Sequence, residues 1–374
     1  MPGAGDIRAQ ALEVAAGWSA PDAPDSWQLT ASLFRVIAEH DELLARLADL
    51  PADQLPALLA SAAIAFLVRR ERPSPLAGYF PDPGLPQPPF DSDFGRVAGA
   101  FVSARLDQII DTCGGRRYQM NEAARCAQVA LGIAATAASP AEPVALVDLG
   151  TGAGLGLQLD RYRYEIGGCA AGPPDAGLTL ACQPRGGLVP PPARLPPVAD
   201  RAGIEASPID LADADAVAWL QACAPPEAAA LTRLTAAIEV TRRHPARIVA
   251  ADAVAALPGV LDSLPPVPVV VVDAYLAVFL PAARQAMLAD ILARAGRTRP
   301  VTWLSLDPLV PLGPAGDTSV QGLRLPPALV SDYQRHGVFA VLGARTFDGR
   351  SARGRLLARA HPSGQWIEWL DAPA

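Results

Sequence analysis

Apolar positions recur at helical spacing through the first third of the chain, and after residue 143 the period changes. Leu33, Phe34, Ile37, Leu43, Leu44 and Leu47 predict a helix over residues 26–50, and Leu55, Leu58, Leu59, Ile64 and Leu67 a second over 53–70. Seven prolines within 73–89 exclude regular helix there and predict an extended connector. Further helices are expected over 92–113 and 118–138, separated at Gly114-Gly115. Beyond residue 143, short apolar runs predict strands at Val144–Leu149, Leu178–Cys182, Gly203–Ala206, Ile248–Ala251, Val267–Asp273 and Val301–Leu306, with helices at 213–243 and 281–297. Such alternation predicts an α/β fold whose mainly parallel sheet is covered on both faces. Phe339–Ala344, Leu356–His361 and Gln365–Leu370 read as adjacent antiparallel strands closing that sheet. The expected organisation is an all-helical N-terminal domain over 1–115 and an α/β domain over 116–374, with an inserted hairpin at about 157–200.

Composition narrows the chemistry. Hydrophobic residues make up 51% of the 374 and charged residues 18%, the balance of a packed globular chain. All 31 basic residues are arginine. Without a lysine there is no Schiff-base nitrogen for pyridoxal phosphate and no P-loop lysine for a nucleoside triphosphate. A net charge of −7 without a basic stripe argues against nucleic acid as a partner. The five cysteines never form C-x-x-C and the four histidines stand singly, so no metal site is expected. An odd number of thiols without disulfide-like spacing reads as a reduced protein. Residues 1–6 lack the basic and apolar regions of a signal peptide, and Val267–Phe279 is interrupted by Asp273 and too short to span a bilayer. The expectation is a cytoplasmic protein without a membrane partner.

The strand at Val144–Leu149 runs into Asp148-Leu-Gly150-Thr-Gly152-Ala-Gly154-Leu-Gly156. Glycines at such a turn let backbone approach a ligand closely. A dinucleotide loop, G-x-G-x-x-G, would need glycine where Leu155 stands. The pattern D-x-G-x-G-x-G instead resembles motif I of the S-adenosylmethionine-dependent methyltransferases, though a structural glycine turn fits it equally well. Three later strand exits resemble that superfamily in order: Arg201-Ala-Gly203-Ile-Glu205-Ala-Ser-Pro208, Ala246–Ala253 and Val269–Tyr275. The resemblance implies a Rossmann-like class I methyltransferase core with S-adenosylmethionine as cofactor. Asp148, Gly150, Gly152 and Gly154 would form its cradle, Glu205 would hold the ribose hydroxyls, and Asp252 and Ala253 would flank the adenine. Asp273 and Tyr275 would face the transferred methyl group. Asp252 and Asp273 also suit helix N-caps. About 50 residues separate the loop from Glu205, a long interval for this superfamily. Were Leu178–Cys182 the second strand, the ribose position would fall on Gln183.

A wider resemblance rests on Asn121-Glu122-Ala-Ala-Arg125-Cys126, Gly150–Gly156, Leu159-Asp160-Arg161-Tyr162-Arg-Tyr164, Ser207-Pro208-Ile-Asp210, Asp252-Ala253 and Val301-Thr-Trp303-Leu-Ser305. These strings resemble the uncharacterised bacterial family named domain of unknown function 2332, over roughly residues 28–370. The resemblance implies a methyltransferase-like core behind helices, with no assigned reaction. The chain departs from the family in its glycine loop, in having Glu205 rather than aspartate, and around Asp273 and Asp307.

Asn121 and Arg125 are four residues apart on one helical face, with Glu122 beside them. They suit carboxylate recognition by Arg125 with Glu122 as base or orienter, or an ion pair bracing the fold. Asp160, Tyr162 and Tyr164 suit a grip on an anionic or aromatic substrate, or simply one face of a strand. No G-x-S-x-G elbow is present, which argues against a hydrolase. The expected function is methyl transfer to a small molecule, and the alternative is a catalytically inactive methyltransferase-fold binding or scaffold protein.

Overall fold

The computed structural model describes residues 3–19, 25–51, 55–308, 319–336, 339–349 and 351–370. Its chain divides into two compact units, Met1–Asn121 with Asp210–Thr235, and Glu122–Ile209 with Ala236–Ala374.

In the first unit the helical period is realised as α1 (Ala4–Gly17), α2 (Gln28–Glu39), α3 (Asp41–Leu47), α4 (Pro56–Arg70), α5 (Phe94–Ala104) and α6 (Leu106–Gly115). The run expected over 26–50 breaks at His40, whose Nδ1 accepts the Leu43 N–H at 3.2 Å and caps α3. The pattern reading missed α1, whose buried stripe of Ile7, Ala11 and Ala15 is mostly alanine. The chain then enters the second unit through α7 (Arg125–Thr136) and a first group of strands, and returns to add α8 (Ala214–Cys223) and the start of α9 (Ala228–Arg243). A single helix expected over 213–243 is split because Pro225 and Pro226 cannot donate the required N–H bonds. Trp219, Ala222 and Cys223 of α8 join Phe34, Ile37, Leu59 and Ile109 in one core. The Trp219 indole donates to the Arg117 carbonyl at 2.8 Å. Residues 210–235 therefore belong with the helices, not with the α/β region assigned to them by sequence.

The second unit is mixed α/β with a large, mostly parallel sheet. Its strands are β1 (Val144–Leu149), β2 (Arg163–Ile166), β3 (Cys169–Ala171), β4 (Thr179–Arg185), β5 (Val198–Glu205), β6 (Arg247–Ala250), β7 (Val269–Ala274), β8 (Val301–Pro308), β11 (Ala340–Phe347), β12 (Ala352–Ala360) and β13 (Trp366–Trp369). Between β8 and β11 lie a two-residue pair, β9 (Ser319–Val320) and β10 (Leu323–Arg324), and α12 (Pro327–His336). Sheet order is β3-β2-β4-β13-β12-β11-β8-β7-β1-β5-β6. Neighbours from β6 through β8 run parallel, and β8, β11, β12 and β13 form an antiparallel meander. The segment expected as an inserted hairpin supplies the β2–β3 hairpin and β4, which pairs in parallel with β13. Thus β5, not the Leu178–Cys182 run, lies beside β1, and Gln183 is six strand positions away along the sheet.

This sheet curls. Laid flat, seven strand spacings would separate β2 from β1 by about 34 Å. Yet β2 begins two residues after a 3₁₀ helix, Gly156–Arg161, that packs against β1 and β5. The sheet wraps around α7, which packs against β4, β7, β8 and β11. Sequence explains why α7 can sit there: Cys126 through Ile133 are all buried, and except for Gln128 they are apolar or small. A helix apolar on all sides has to be enclosed. Gln128 is enclosed too, its amide donating to the His361 and Trp366 carbonyls at 3.0 and 2.9 Å. The outer face is covered by α10 (Ala253–Ser263) and α11 (Ala282–Ala295), packed on Val147, Ile204, Val271 and Trp303. No helix among the described residues is long and apolar enough to cross a membrane.

Gly132 permits the closest approach of α7 to the sheet, since a β-carbon there would lie 3.2 Å from Leu342 and 3.3 Å from Leu304. Gly132→Val is expected to destabilise the protein by about 1–3 kcal/mol through overpacking, read as a lower urea midpoint at unchanged slope.

Candidate functional site

Strands β5 and β7 leave β1 on opposite sides, so the loop after β1 stands at a switch point of the sheet, where α/β proteins bind ligands. Gly150, Gly152 and Gly154 take φ of 68°, 57° and 76°, a left-handed region costly for other residues. Gly152 points its N–H at Glu205 Oε2, 3.0 Å away, while Glu205 Oε1 accepts the Ser207 N–H at 3.0 Å. The Glu205 carboxylate is thus fixed at the end of β5, half-buried, with lone pairs to spare. Gly156 is required by close approach: a β-carbon would lie 2.6 Å from Asp148 Oδ2. The loop is followed by the short 3₁₀ turn Gly156–Arg161.

Asp148 is 7% exposed and accepts the Thr151 hydroxyl at 2.6 Å. Burial pushes its carboxyl up to about 7, the charges of Asp273 and Glu205 push the same way, and the Thr151 bond opposes them. Asp252 stands at the mouth of β6 as the N-cap of α10, accepting the Ala255 N–H at 2.9 Å and pairing with Arg284. Ala253 is the first residue of that helix. The capping role open to Asp252 in the sequence is the one its geometry shows.

Asp273 lies at the end of β7, opposite Leu149 of β1 and Ser305 of β8, and is fully buried. Its Oδ2 accepts the Trp303 indole N–H at 2.5 Å, and its Oδ1 accepts the Ala277 N–H at 3.2 Å and the Ser305 hydroxyl at 3.3 Å. Ser305 also contacts Asp307 Oδ2, and Asp307 Oδ1 accepts the Val278 N–H at 3.2 Å. Burial holds both carboxyls above the usual carboxylate range, with the charge of Asp273 adding to the effect on Asp307. Trp303, Ser305 and Asp307 were not singled out as site residues. Their signal was the period-two spacing of 303, 305 and 307, which sets one tryptophan and two polar side chains on one face of an apolar strand.

Tyr275, with φ 68°, lies under the Arg125 guanidinium at 3.7 Å from the ring centre, a cation–π contact. Arg125 also donates to the Pro362 carbonyl at 2.7 Å. Glu122 Oε1 accepts the Ala124 N–H at 3.0 Å, and Asn121 is the last residue of the first unit's leading segment. Asp160 forms a two-pronged pair with Arg201 at 2.7 and 2.8 Å, fastening the 3₁₀ turn to β5. Tyr162 and Tyr164 are fully buried and donate to the Leu155 and Leu159 carbonyls. Their hydroxyls are committed to the backbone, so the strand-face alternative describes their position. Cys126, in the same family string as Arg125, is buried in α7, and burial raises its thiol far above the ordinary value.

The site therefore brings together Asp148, Gly150, Gly152, Gly154, Glu205, Asp273 and Tyr275, with Arg125 against Tyr275. Residues 13–369 match the model of a family described as uncharacterized proteins conserved in bacteria, domain of unknown function 2332. The chain belongs to this family. No curated protein matches it.

The Asp148 carboxyl holds its proton to higher pH in the folded chain than in the unfolded one, so its contribution to stability is complete below about 4 and is lost as pH rises through about 7. The urea midpoint is expected to fall across that window, and Asp148→Asn is expected to reduce the slope.

Proposed function

We propose that the α/β unit binds S-adenosylmethionine beside the Gly150–Gly154 loop and transfers its methyl group to a small-molecule acceptor in the cytoplasm, as a class I methyltransferase-like enzyme with a Rossmann-like core, in a chain that also carries an N-terminal helical unit. The observation that carries this reading is Glu205: a carboxylate at the end of the strand next to β1, fixed by the Gly152 and Ser207 N–H groups. S-adenosylmethionine supplies an electrophilic methyl group on a sulfonium ion. The residues fit such a ligand in two respects. Glu205 keeps acceptor positions for a pair of ribose hydroxyls, and a sulfonium beside Asp148 and Asp273 would draw those raised carboxyls toward their charged forms. Gly150 is exposed and Glu205 half-buried, and these form the open side of the cradle. Asp252 and Ala253 stand at the neighbouring strand exit, where the adenine would lie. Arg125, set against the Tyr275 ring and the Pro362 carbonyl, is a cation that would orient an anionic acceptor.

A second reading, a methyltransferase-fold protein that binds without catalysis, is favoured by one feature. Asp273, Tyr162 and Tyr164 are sealed from solvent, so none of them can take a proton from an acceptor.

Thermal unfolding with S-adenosylmethionine, its demethylated product or NADH tests the proposal. At 100 times its dissociation constant either of the first two should add about 2.7 kcal/mol, and NADH nothing. Gly152→Val should abolish the response, and Glu205→Gln should weaken binding by about 1.5–3 kcal/mol. A flat response to both adenosyl compounds at millimolar concentration would sink the assignment. Binding without methyl transfer to any small acceptor would select the second reading.

A further inference from the structure

Ser305 touches two carboxyl groups, Asp273 at Oδ1 and Asp307 at Oδ2. A hydroxyl has one hydrogen to donate. Both contacts are hydrogen bonds only when one of the two carboxyls carries a proton and donates it to Ser305. The remaining donors show which one. Asp273 accepts N–H groups at both of its oxygens, from Trp303 and Ala277, as a carboxylate should. Among the described residues Asp307 accepts an N–H only at Oδ1, leaving Oδ2 for the proton. The order is Asp307 to Ser305 to Asp273.

The same acids hold a turn. The Ala277 and Val278 N–H groups, which they receive, open the 3₁₀ turn Ala277–Phe279. Just before it, Tyr275 has positive φ and Leu276 packs where a Gly150 side chain would point, 3.3 Å from that position. The turn is thus tied to the acids below it and abuts the glycine loop at Gly150.

We propose that the Asp273–Ser305–Asp307 array is a proton-held latch: one shared proton pins residues 275–280 over Gly150, and its loss to bulk water as pH rises releases the turn. When both acids are charged, one hydroxyl cannot satisfy both, and two carboxylates bridged by a single buried oxygen repel strongly. Burial of both acids places this event above the ordinary carboxylate range. The charged neighbours act in opposite directions, an acid favouring the proton and a cation its loss. From β1, Asp148 adds negative charge once pH has risen through about 7, and that charge favours keeping the proton. From α7, Arg125 stacks on Tyr275 of the turn. From α11, Gln285 donates to the Ala277 and Leu280 carbonyls and is neutral at any pH. From β11, Val341 and Gly343 stand opposite Asp307 and Ser305 and carry no charge.

The latch does not depend on the ligand assignment, and its test needs no ligand. Hydrogen exchange of amides 276–280 is measured on the full chain from pH 5.5 to 9 and corrected for the intrinsic pH dependence of exchange. Protection is expected to fall at least tenfold as pH rises, while α7 amides stay constant. Asp307→Asn keeps a donor toward Ser305 but cannot ionise, so protection should stay high throughout. Ser305→Ala, which keeps both acids but removes the bridge, should show low protection at every pH. This variant carries the test if Asp307→Asn does not fold. The transition should persist in Asp148→Asn. A flat wild-type profile, an unchanged profile in Asp307→Asn, high protection in Ser305→Ala, or loss of the transition in Asp148→Asn would each overturn the proposal.

Discussion

Enclosure of α7 is the constraint on which the α/β unit depends, because a helix with no solvent side needs a partner surface in every direction. A flat sheet offers one face. Curling the sheet supplies β4, β7, β8 and β11 around the helix, and it brings the β2–β4 edge back toward the loop after β1. Small residues make this possible: Gly132 admits Leu342 and Leu304, and Gly364 lies against Ala124. The one enclosed polar side chain of the helix, Gln128, is tied to two carbonyls at the β12–β13 turn and so fixes the helix's rotation. Unsatisfied, that amide would cost about 1–3 kcal/mol.

From that enclosure follows the use of two of the strings that carry the family resemblance. Arg125 and Cys126 open α7, while Asp160, Tyr162 and Tyr164 close the turn that joins the glycine loop to β2. A buried phenol needs an acceptor, and the nearest are the carbonyls of the preceding turn, at Leu155 and Leu159. Asp160 is held by Arg201 of β5. These residues secure the place where the sheet closes on itself. The acids fall into two kinds. Asp160 and Asp252 are paired with the arginines Arg201 and Arg284. Asp148, Asp273 and Asp307 are bonded to hydroxyl, indole and amide donors in buried positions, where burial raises each carboxyl above the ordinary carboxylate range.

What the sequence shows and what it hides follow from the range of the interactions involved. Strands β1, β7 and β8 were legible because parallel strands buried on both faces need continuous apolar runs. The glycine loop and Glu205 were legible because both sit at strand ends. Breaks at His40 and at Pro225-Pro226 were local signals outweighed by a longer helical pattern. The curl, by contrast, depends on contacts between residues far apart in the chain, so no local period reveals it. Ser305 and Asp307 were visible as an alternation, yet only the pairing of Asp273 with Ser305 across β7 and β8 turns that alternation into an array. Tyr162 and Tyr164 satisfied two readings equally until burial separated them.

The latch and the glycine loop share one side chain, and that couples them whatever ligand the loop takes. Leu276 is held from below by the bonds to Ala277 and Val278, and it occupies the direction in which Gly150 lacks a side chain. A ligand that packs on Leu276 in place favours the protonated form of the array, and one that needs the space favours the ionised form. Linkage is reciprocal, so the first must raise the array's proton affinity by the factor in which protonation raises its own affinity, and the second must lower it. A positively charged ligand adds a direct term, since it stabilises Asp148 and Asp273 as carboxylates. For such a ligand the two terms oppose each other when Leu276 stays and reinforce each other when Leu276 moves. The sign of proton uptake or release on binding therefore reports which position of the turn the bound state uses.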